Sequence, residues 1–207
     1  MQTPSIDFLF DFGSPNAYFC HKVIPDIEAR TGKTFRYVPI LLGGLFKLTN
    51  NQSPANAFAH IANKRAYDAL EVERFIKKHK LDQYRRNPYW PVNTLKIMRG
   101  AIAAEKLGIF DAYVDAVFSC MWELELDMSD TDTILRALEQ AGLDGAAIMD
   151  LSQQSDIKQR LIDNTQQACD RGAFGSPTFF VGDEIYFGKD RLAQVEEKIN
   201  EYAATTR

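Results

Sequence analysis

Few residues in this chain have chemistry to offer, and their spacing excludes more than it allows. Cys20, Cys120 and Cys169 are odd in number and far apart, so no Cys-x-x-Cys pair exists and dithiol chemistry on the protein itself is not expected. His21, His60 and His79 lack metal-ligand spacing, and Cys20-His21 is too local to form a nucleophile and its base. No metal site is expected from them. Ser14-Pro15 remains. A serine followed by proline marks a helix N-cap with proline at the first helical position. There the hydroxyl sits beside free N–H groups and positive potential, a place that favours an anion, and a thiolate is one. No His-Asp pair lies near Ser14 in sequence and a serine hydroxyl ionises far above neutral pH, so it is not expected to act as an alkoxide. Its task would be to donate a hydrogen bond to a bound sulfur anion, which lowers the thiol's pKa toward neutrality. The competing reading is a plain structural cap. If a thiol does the work, it must arrive with a cofactor.

The elements that would position Ser14 follow from the flanking pattern. Ile6, Phe8 and Phe10 alternate with Asp7, Leu9 and Asp11, which reads as a strand. A helix from about Pro15 to Arg30 has Tyr18, Phe19, Val23, Ile24 and Ile27 at its apolar positions, with Pro25 expected to kink it. Cys20, inside it, reads as a small buried residue. Thr31-Gly32 ends the helix, and the run from Phe35 to Ile40 gives a second strand, set for parallel pairing through a right-handed crossover. Far along the chain, Gly175-Ser176-Pro177-Thr178 opens an apolar strand, Gly182-Asp183 turns, and a second strand returns to Gly188. A closing helix begins near Lys189 to Arg191 and runs through Leu192, Val195 and Ile199. Strand, turn with an active residue, helix, then a proline-led hairpin and a closing helix is the plan of a thioredoxin-like fold, in which Pro177 would be cis.

Between these halves the chain reads as helical. Gly43-Gly44 breaks the strand pattern; Ser53-Pro54 repeats the cap signal and opens a helix toward Lys80 with Tyr67, Leu70, Phe75 and Ile76 as buried positions. Asn87-Pro88-Tyr89-Trp90-Pro91 is a rigid aromatic loop. Leu95, Met98, Ile102 and Leu107 mark a helix closed by Gly108, and Tyr113, Val114, Val117, Phe118, Met121 and Trp122 mark a core-facing one. Ser129-Asp130 caps the next helix, which stops at Gly142, and two more segments reach Gly172. The expected organisation is α/β: residues 1–43 and 172–207 form a thioredoxin-like domain, and residues 44–171 a large all-helical insertion.

With 207 residues, 45% of them hydrophobic, the chain can build a sizeable core, and a single thioredoxin-like unit leaves a surplus that the insertion takes up. The net charge of −4 and the absence of any dense Lys or Arg run argue against nucleic acid as a partner. Met1-Gln2-Thr3-Pro4-Ser5 lacks the basic start and apolar stretch of a secretory signal, and no window approaches a membrane span. A soluble cytoplasmic protein with a small ligand is expected.

Five stretches in register carry a family resemblance over nearly the whole chain. They are Asp11-Phe12-Gly13-Ser14-Pro15-Asn16-Ala17-Tyr18, Tyr37-Val38-Pro39-Ile40-Leu41-Leu42-Gly43-Gly44, Pro91-Val92-Asn93-Thr94, Gly175-Ser176-Pro177-Thr178 and Gly188-Lys189-Asp190-Arg191-Leu192. Together they resemble the 2-hydroxychromene-2-carboxylate isomerase family, related to kappa-class glutathione transferases and more distantly to bacterial thiol-disulfide oxidoreductases. The resemblance implies glutathione as cofactor and Ser14 as the catalytic serine. Ser176, where relatives often carry Val, and Pro177 would present backbone groups to the cysteinyl unit. Asp190 and Arg191 would hold the γ-glutamyl ammonium and carboxylate. Lys64 would face the cofactor, and Lys47 and Asn63 the acidic substrate, with Asn87, Pro88, Tyr89 and Trp90 as an aromatic wall. A homodimer is implied as well. The implied reaction is reversible addition of the thiolate to 2-hydroxychromene-2-carboxylate or a related unsaturated aromatic oxoacid. A transferase or peroxidase that consumes glutathione and a non-catalytic thioredoxin-like binding module are the alternatives.

Overall fold

Ile6–Phe10 forms β1, and every one of its residues is buried because the strand is central and covered on both faces. The computed structural model describes residues 5–205, so the reading of Met1 to Pro4 as no secretory start lies outside the described residues. Arg36–Pro39 (β2) pairs parallel with β1 on one side, Thr178–Val181 (β3) pairs antiparallel on the other, and Glu184–Phe187 (β4) completes a mixed sheet of order β2-β1-β3-β4. Proline at the end of β2 costs nothing there, since β2 is an edge strand. Gly182, at φ +61°, supplies the left-handed residue of the β3–β4 turn.

Alternation sends the side chains of β1 to two covers. Ile6, Phe8 and Phe10 join the main apolar cluster, where Phe8 stacks on Phe179 at 5.2 Å between centroids. Leu9 joins a second cluster with Ile40, Leu45, Ala168, Ala173 and Phe180. Asp7 and Asp11 share the Leu9 face, so two carboxylates flank that second cluster, both fully buried or nearly so.

Pro15–Thr31 is α1, with Ser14 at the N-cap, Pro25 inside and Gly32 as the left-handed C-cap. The helices between β2 and β3 are Leu42–Leu48 (α2), Pro54–Ala57 (α3), Ala62–His79 (α4), Leu95–Lys106 (α5), Phe110–Trp122 (α6), Thr131–Gln140 (α7), Gly145–Leu151 (α8) and Ser155–Asp170 (α9). A single 3₁₀ turn, Lys189–Arg191, leads into Leu192–Thr205 (α10). The helical block and the sheet share one core: buried side chains run without a break from Phe8 through Ile97, Val117 and Ile134 to Ile199. Alpha-5 and α6 approach closely enough that a Cβ at Gly100 would strike the Tyr113 hydroxyl, which donates 2.8 Å to the Ile97 carbonyl.

Four sequence expectations need correction here. Helix begins at Leu42, two residues before Gly44, because Gly43 and Gly44 sit inside α2. Ser53 does cap a helix through Asn56 N–H, but that helix is one turn long, and α4 starts afresh at Ala62. Tyr67 and Leu70 are 57% and 41% exposed, because α4 buries only the C-terminal part of its apolar stripe, at Phe75. Leu107 is exposed as the C-cap of α5, past the last turn that faces the core.

Candidate active site

The turn from β1 into α1 is held by a closed set of hydrogen bonds. Ser14 is 5% exposed; its Oγ accepts from Ala17 N–H at 3.2 Å, as an N-cap should, and donates to the Ser176 carbonyl at 2.9 Å. The Ser176 Oγ accepts from Asp11 N–H at 3.1 Å, and the Asp11 carbonyl accepts from Ser14 N–H at 3.0 Å. Ser176–Pro177 is cis. The strand end, the helix start and the proline loop therefore converge on one hydroxyl, brought together from positions 162 residues apart.

Asp11 organises the turn from below. Its carboxylate accepts from Gly13 N–H at 2.8 Å, from Leu42 N–H at the start of α2 at 2.7 Å, and from the Thr94 hydroxyl at 3.1 Å. Burial raises its pKa above the ordinary carboxylate value, and these three donors oppose the rise. Gly13 is tightly enclosed: a Cβ there would lie 3.1 Å from the Thr94 methyl and 3.3 Å from the Asp11 carboxylate, so either neighbour would have to give. Two tryptophans fix the remaining carbonyls of the turn. Trp122 Nε1 donates to the Phe12 carbonyl at 2.8 Å and Trp90 Nε1 to the Gly13 carbonyl at 2.9 Å. A buried indole N–H needs an acceptor, so each ring both packs and clamps.

The other expected residues divide. The Ser176 carbonyl, directly before cis-Pro177, accepts from Ser14, and Trp90 donates to the adjacent Gly13 carbonyl. Asn87 is buried and its amide is already used: Nδ2 donates to the Met121 and Leu126 carbonyls, and Oδ1 accepts from Tyr89 N–H. It fastens the aromatic loop to the end of α6, with both amide N–H groups already bonded. Pro88 and Tyr89 are exposed. Lys47 is exposed in the last turn of α2, and Asn63 is exposed in the first turn of α4. Lys64 pairs with Asp68 at 2.7 Å, one turn along α4, and lies over the Phe58 ring. Arg191 is exposed and its guanidinium donates to the Gln194 side chain at 3.3 Å, whereas Asp190 accepts from Lys189 at 2.6 Å. No contact ties Lys47, Asn63, Lys64 or Arg191 to Ser14 among the described residues.

Sequence reasoning missed Asp11 and Thr94. The signal for the first was present: a carboxylate closing an apolar strand directly before Phe-Gly-Ser has no solvated face to occupy. Cys20 is fully buried, and burial pushes its thiol well above the usual range, so it is inert packing. His21 is partnered on both nitrogens, by Tyr37 Oη at 3.0 Å and Asp115 at 2.9 Å.

Comparison with known proteins bears on this geometry. A family model described as a DsbA-like thioredoxin domain matches residues 5–200. The chain is 29% identical over 198 residues to a 2-hydroxychromene-2-carboxylate isomerase of Sphingobium xenophagum, covering 94% of this chain and 97% of that one. It is 23% identical over 201 residues to glutathione S-transferase kappa 1 of Rattus norvegicus, covering 90% and 87%. Among solved structures, a 2-hydroxychromene-2-carboxylate isomerase superposes with a TM-score of 0.82 at 24% identity over 97% of each chain, which shows the shared fold.

Proposed function

Because the chain belongs to the DsbA-like thioredoxin domain family yet carries Ser14 where a redox member needs a cysteine, we propose that it is a glutathione-dependent isomerase of an unsaturated aromatic oxoacid such as 2-hydroxychromene-2-carboxylate. The observation that carries the reading is the Ser14 hydroxyl, capping α1 and 2.9 Å from the carbonyl that precedes cis-Pro177. Relatives named as isomerases and kappa glutathione transferases along nearly the full chain support an enzyme. We take it to work in the cytoplasm as a homodimer.

The donor set suits a thiol ligand. A proton on Ser14 Oγ, the Ala17 N–H behind it and the positive end of α1 all favour a sulfur anion over a thiol. Glutathione, when bound, supplies a thiolate that adds to the conjugated acid and leaves again unchanged. The chain's own residues do the rest. Ser14 exchanges the Ser176 carbonyl for the anion as its acceptor, and the stronger, charge-assisted bond drives the exchange. The Ser176 backbone holds the ligand's peptide edge. Trp90 and Trp122 keep the turn from shifting when the hydroxyl changes partner, and Asp11 keeps the end of β1 in register with α2. The reading rests on Ser14, Ser176 and Pro177. In it Lys64 faces the cofactor, and Lys47 and Asn63 are polar groups on the side of the acidic substrate.

The test is the ultraviolet absorbance of the glutathione thiolate, titrated with pH in the wild type and in Ser14→Ala. Loss of one hydrogen bond to a charged acceptor should move the thiolate midpoint up by about 1–2 pH units. Isomerisation with glutathione recovered intact separates this function from a transferase, which consumes it. A wild type that binds no glutathione, or binds it only as the thiol, overturns the reading.

A further inference from the structure

Every backbone group in the turn from Asp11 to Ser14 has a partner, and one partner is unlike the rest. Asp11 N–H donates to the Ser176 hydroxyl, Gly13 N–H to the Asp11 carboxylate and Ser14 N–H to the Asp11 carbonyl. The Phe12, Gly13 and Ser14 carbonyls accept from Trp122, Trp90 and Ala17 N–H. Phe12 N–H instead donates to the thioether sulfur of Met98, 3.4 Å away. We propose that Met98 is a positioning residue for Ser14, holding through this bond the peptide plane on which the serine's own N–H closes the turn.

Two bonds share that plane. The Asp11 carbonyl and Phe12 N–H belong to a single trans peptide unit and point to opposite sides of it. Met98 fixes the N–H end, and Ser14 N–H fixes the carbonyl end at 3.0 Å. A rotation of the plane therefore frees both ends together, and Ser14 loses a bond that sets it at the N-cap of α1. Phe12 and Met98 are both fully buried, so water does not replace the sulfur as acceptor. Met98 also shares a turn with Thr94: its N–H donates to the Thr94 carbonyl at 2.8 Å, and the Thr94 hydroxyl donates to the Asp11 carboxylate. The start of α5 thus grips the Ser14 turn at a side chain and at the backbone.

The residue type fits the task. An apolar core position needs an acceptor here and no further donor, since a hydroxyl or an amide would bring polar hydrogens with nothing to meet. A thioether is apolar in bulk, accepts weakly and donates nothing. Met128 provides the contrast within the same chain. It is equally buried in the same core, and its sulfur accepts no hydrogen bond among the described residues.

The experiment is amide hydrogen exchange by nuclear magnetic resonance on the ligand-free full chain, in the wild type, Met98→Leu and Met128→Leu. Both substitutions nearly conserve volume, so they match in packing and differ in the lost acceptor. Met98→Leu should speed exchange at Phe12 and Ser14 about tenfold more than at Phe8, in the middle of β1, whereas Met128→Leu should move all three amides alike. Equal acceleration at the three amides in Met98→Leu overturns the proposal, as does no acceleration at all. Should Met98→Leu not fold, the wild-type chain labelled with selenomethionine decides. Selenium changes the acceptor alone, so shifts of the Phe12 and Ser14 amide protons without one at Phe8 support the linked plane, and an unmoved Ser14 overturns it.

A second readout rests on the glutathione reading. The thiolate midpoint, followed by its ultraviolet absorbance, should rise by about half a pH unit in Met98→Leu, roughly a threefold fall in acidity, and stay in place in Met128→Leu. An unmoved midpoint in a folded Met98→Leu overturns the role of Met98 when the wild type does form the thiolate. A wild type that forms none overturns the glutathione reading, and the exchange pattern still decides Met98.

Discussion

At one end of β1, Asp7 is buried between two arginines; at the other, Asp11 is buried among two amides and a hydroxyl and meets no cation among the described residues. Asp7 accepts from Arg36 at 2.8 Å and Arg171 at 2.7 Å, and Arg171 also lies 3.7 Å over the Phe180 ring. That end ties β2 and the chain beyond α9 to the sheet through these contacts. At the Asp11 end an arginine would hold a fixed anion beside Ser14, and a like charge there would oppose a thiolate. Uncharged donors give the same geometry while burial favours the neutral acid. The same side chain on the same face of one strand thus serves cohesion at one end and, in our reading, protects an anion site at the other.

Alanine substitution should separate the two ends most widely. Asp11→Ala strands Gly13 N–H, Leu42 N–H and the Thr94 hydroxyl in the interior, and should cost about 3–5 kcal/mol in urea denaturation. Asp7→Ala should cost less, about 1–2 kcal/mol, because Arg36 and Arg171 are 67% and 39% exposed and can turn to water. Equal losses at the two positions would erase the distinction.

The second difference is in pH dependence. Burial lifts the folded pKa of Asp11 above its ordinary 3.8, so the folded chain binds more protons than the unfolded chain between those two values. The stability this contributes is full below about pH 3.8 and is lost as pH rises through the folded value, the reverse of a salt-bridged carboxylate. Asp115 and Glu123, whose pKa values are lowered in the fold, slope the other way, so the measurement must be a difference. Urea midpoints of the wild type minus those of Asp11→Asn should decline as the pH rises above about 4. A flat difference would mean that Asp11 is ionised in both states.

Much of the frame was legible because local chemistry and global fold agree in it. Ser14-Pro15, the Ile6 to Phe10 alternation, Gly32 and the Gly182 turn each dictate a local conformation, and each stands where the sequence reading put it. The proline before β3 became readable as cis only through the plan of the whole chain. Tyr67 and Leu70 failed because an apolar stripe says that a helix has a face, not how far along its length another element covers it. Asn87 shows a related limit: a polar residue beside aromatics looks like a ligand contact, and only the distant Met121 and Leu126 carbonyls reveal that its amide N–H groups are already bonded. Lys189 passed as one more charge at a helix start, since its burial depends on Phe75, more than a hundred residues away.

The finest distinction between the two ends of β1 rests on Thr94. Its hydroxyl donates to an ionised Asp11, but it is also an acceptor, and it alone among the three partners can reverse the bond and take a proton from a neutral Asp11. The two amides can only donate, and the arginines at Asp7 are likewise donors alone. Thr94→Val keeps the methyl that packs against Gly13 and removes only this two-way oxygen. The cost should be about 1 kcal/mol, measured by urea denaturation. It should be larger on the acid side, where a neutral Asp11 loses its acceptor, than at higher pH, where the anion retains two amide donors. A loss that grows with pH would mean that the hydroxyl serves the ionised carboxylate, and that Asp11 is a second charged anchor like Asp7.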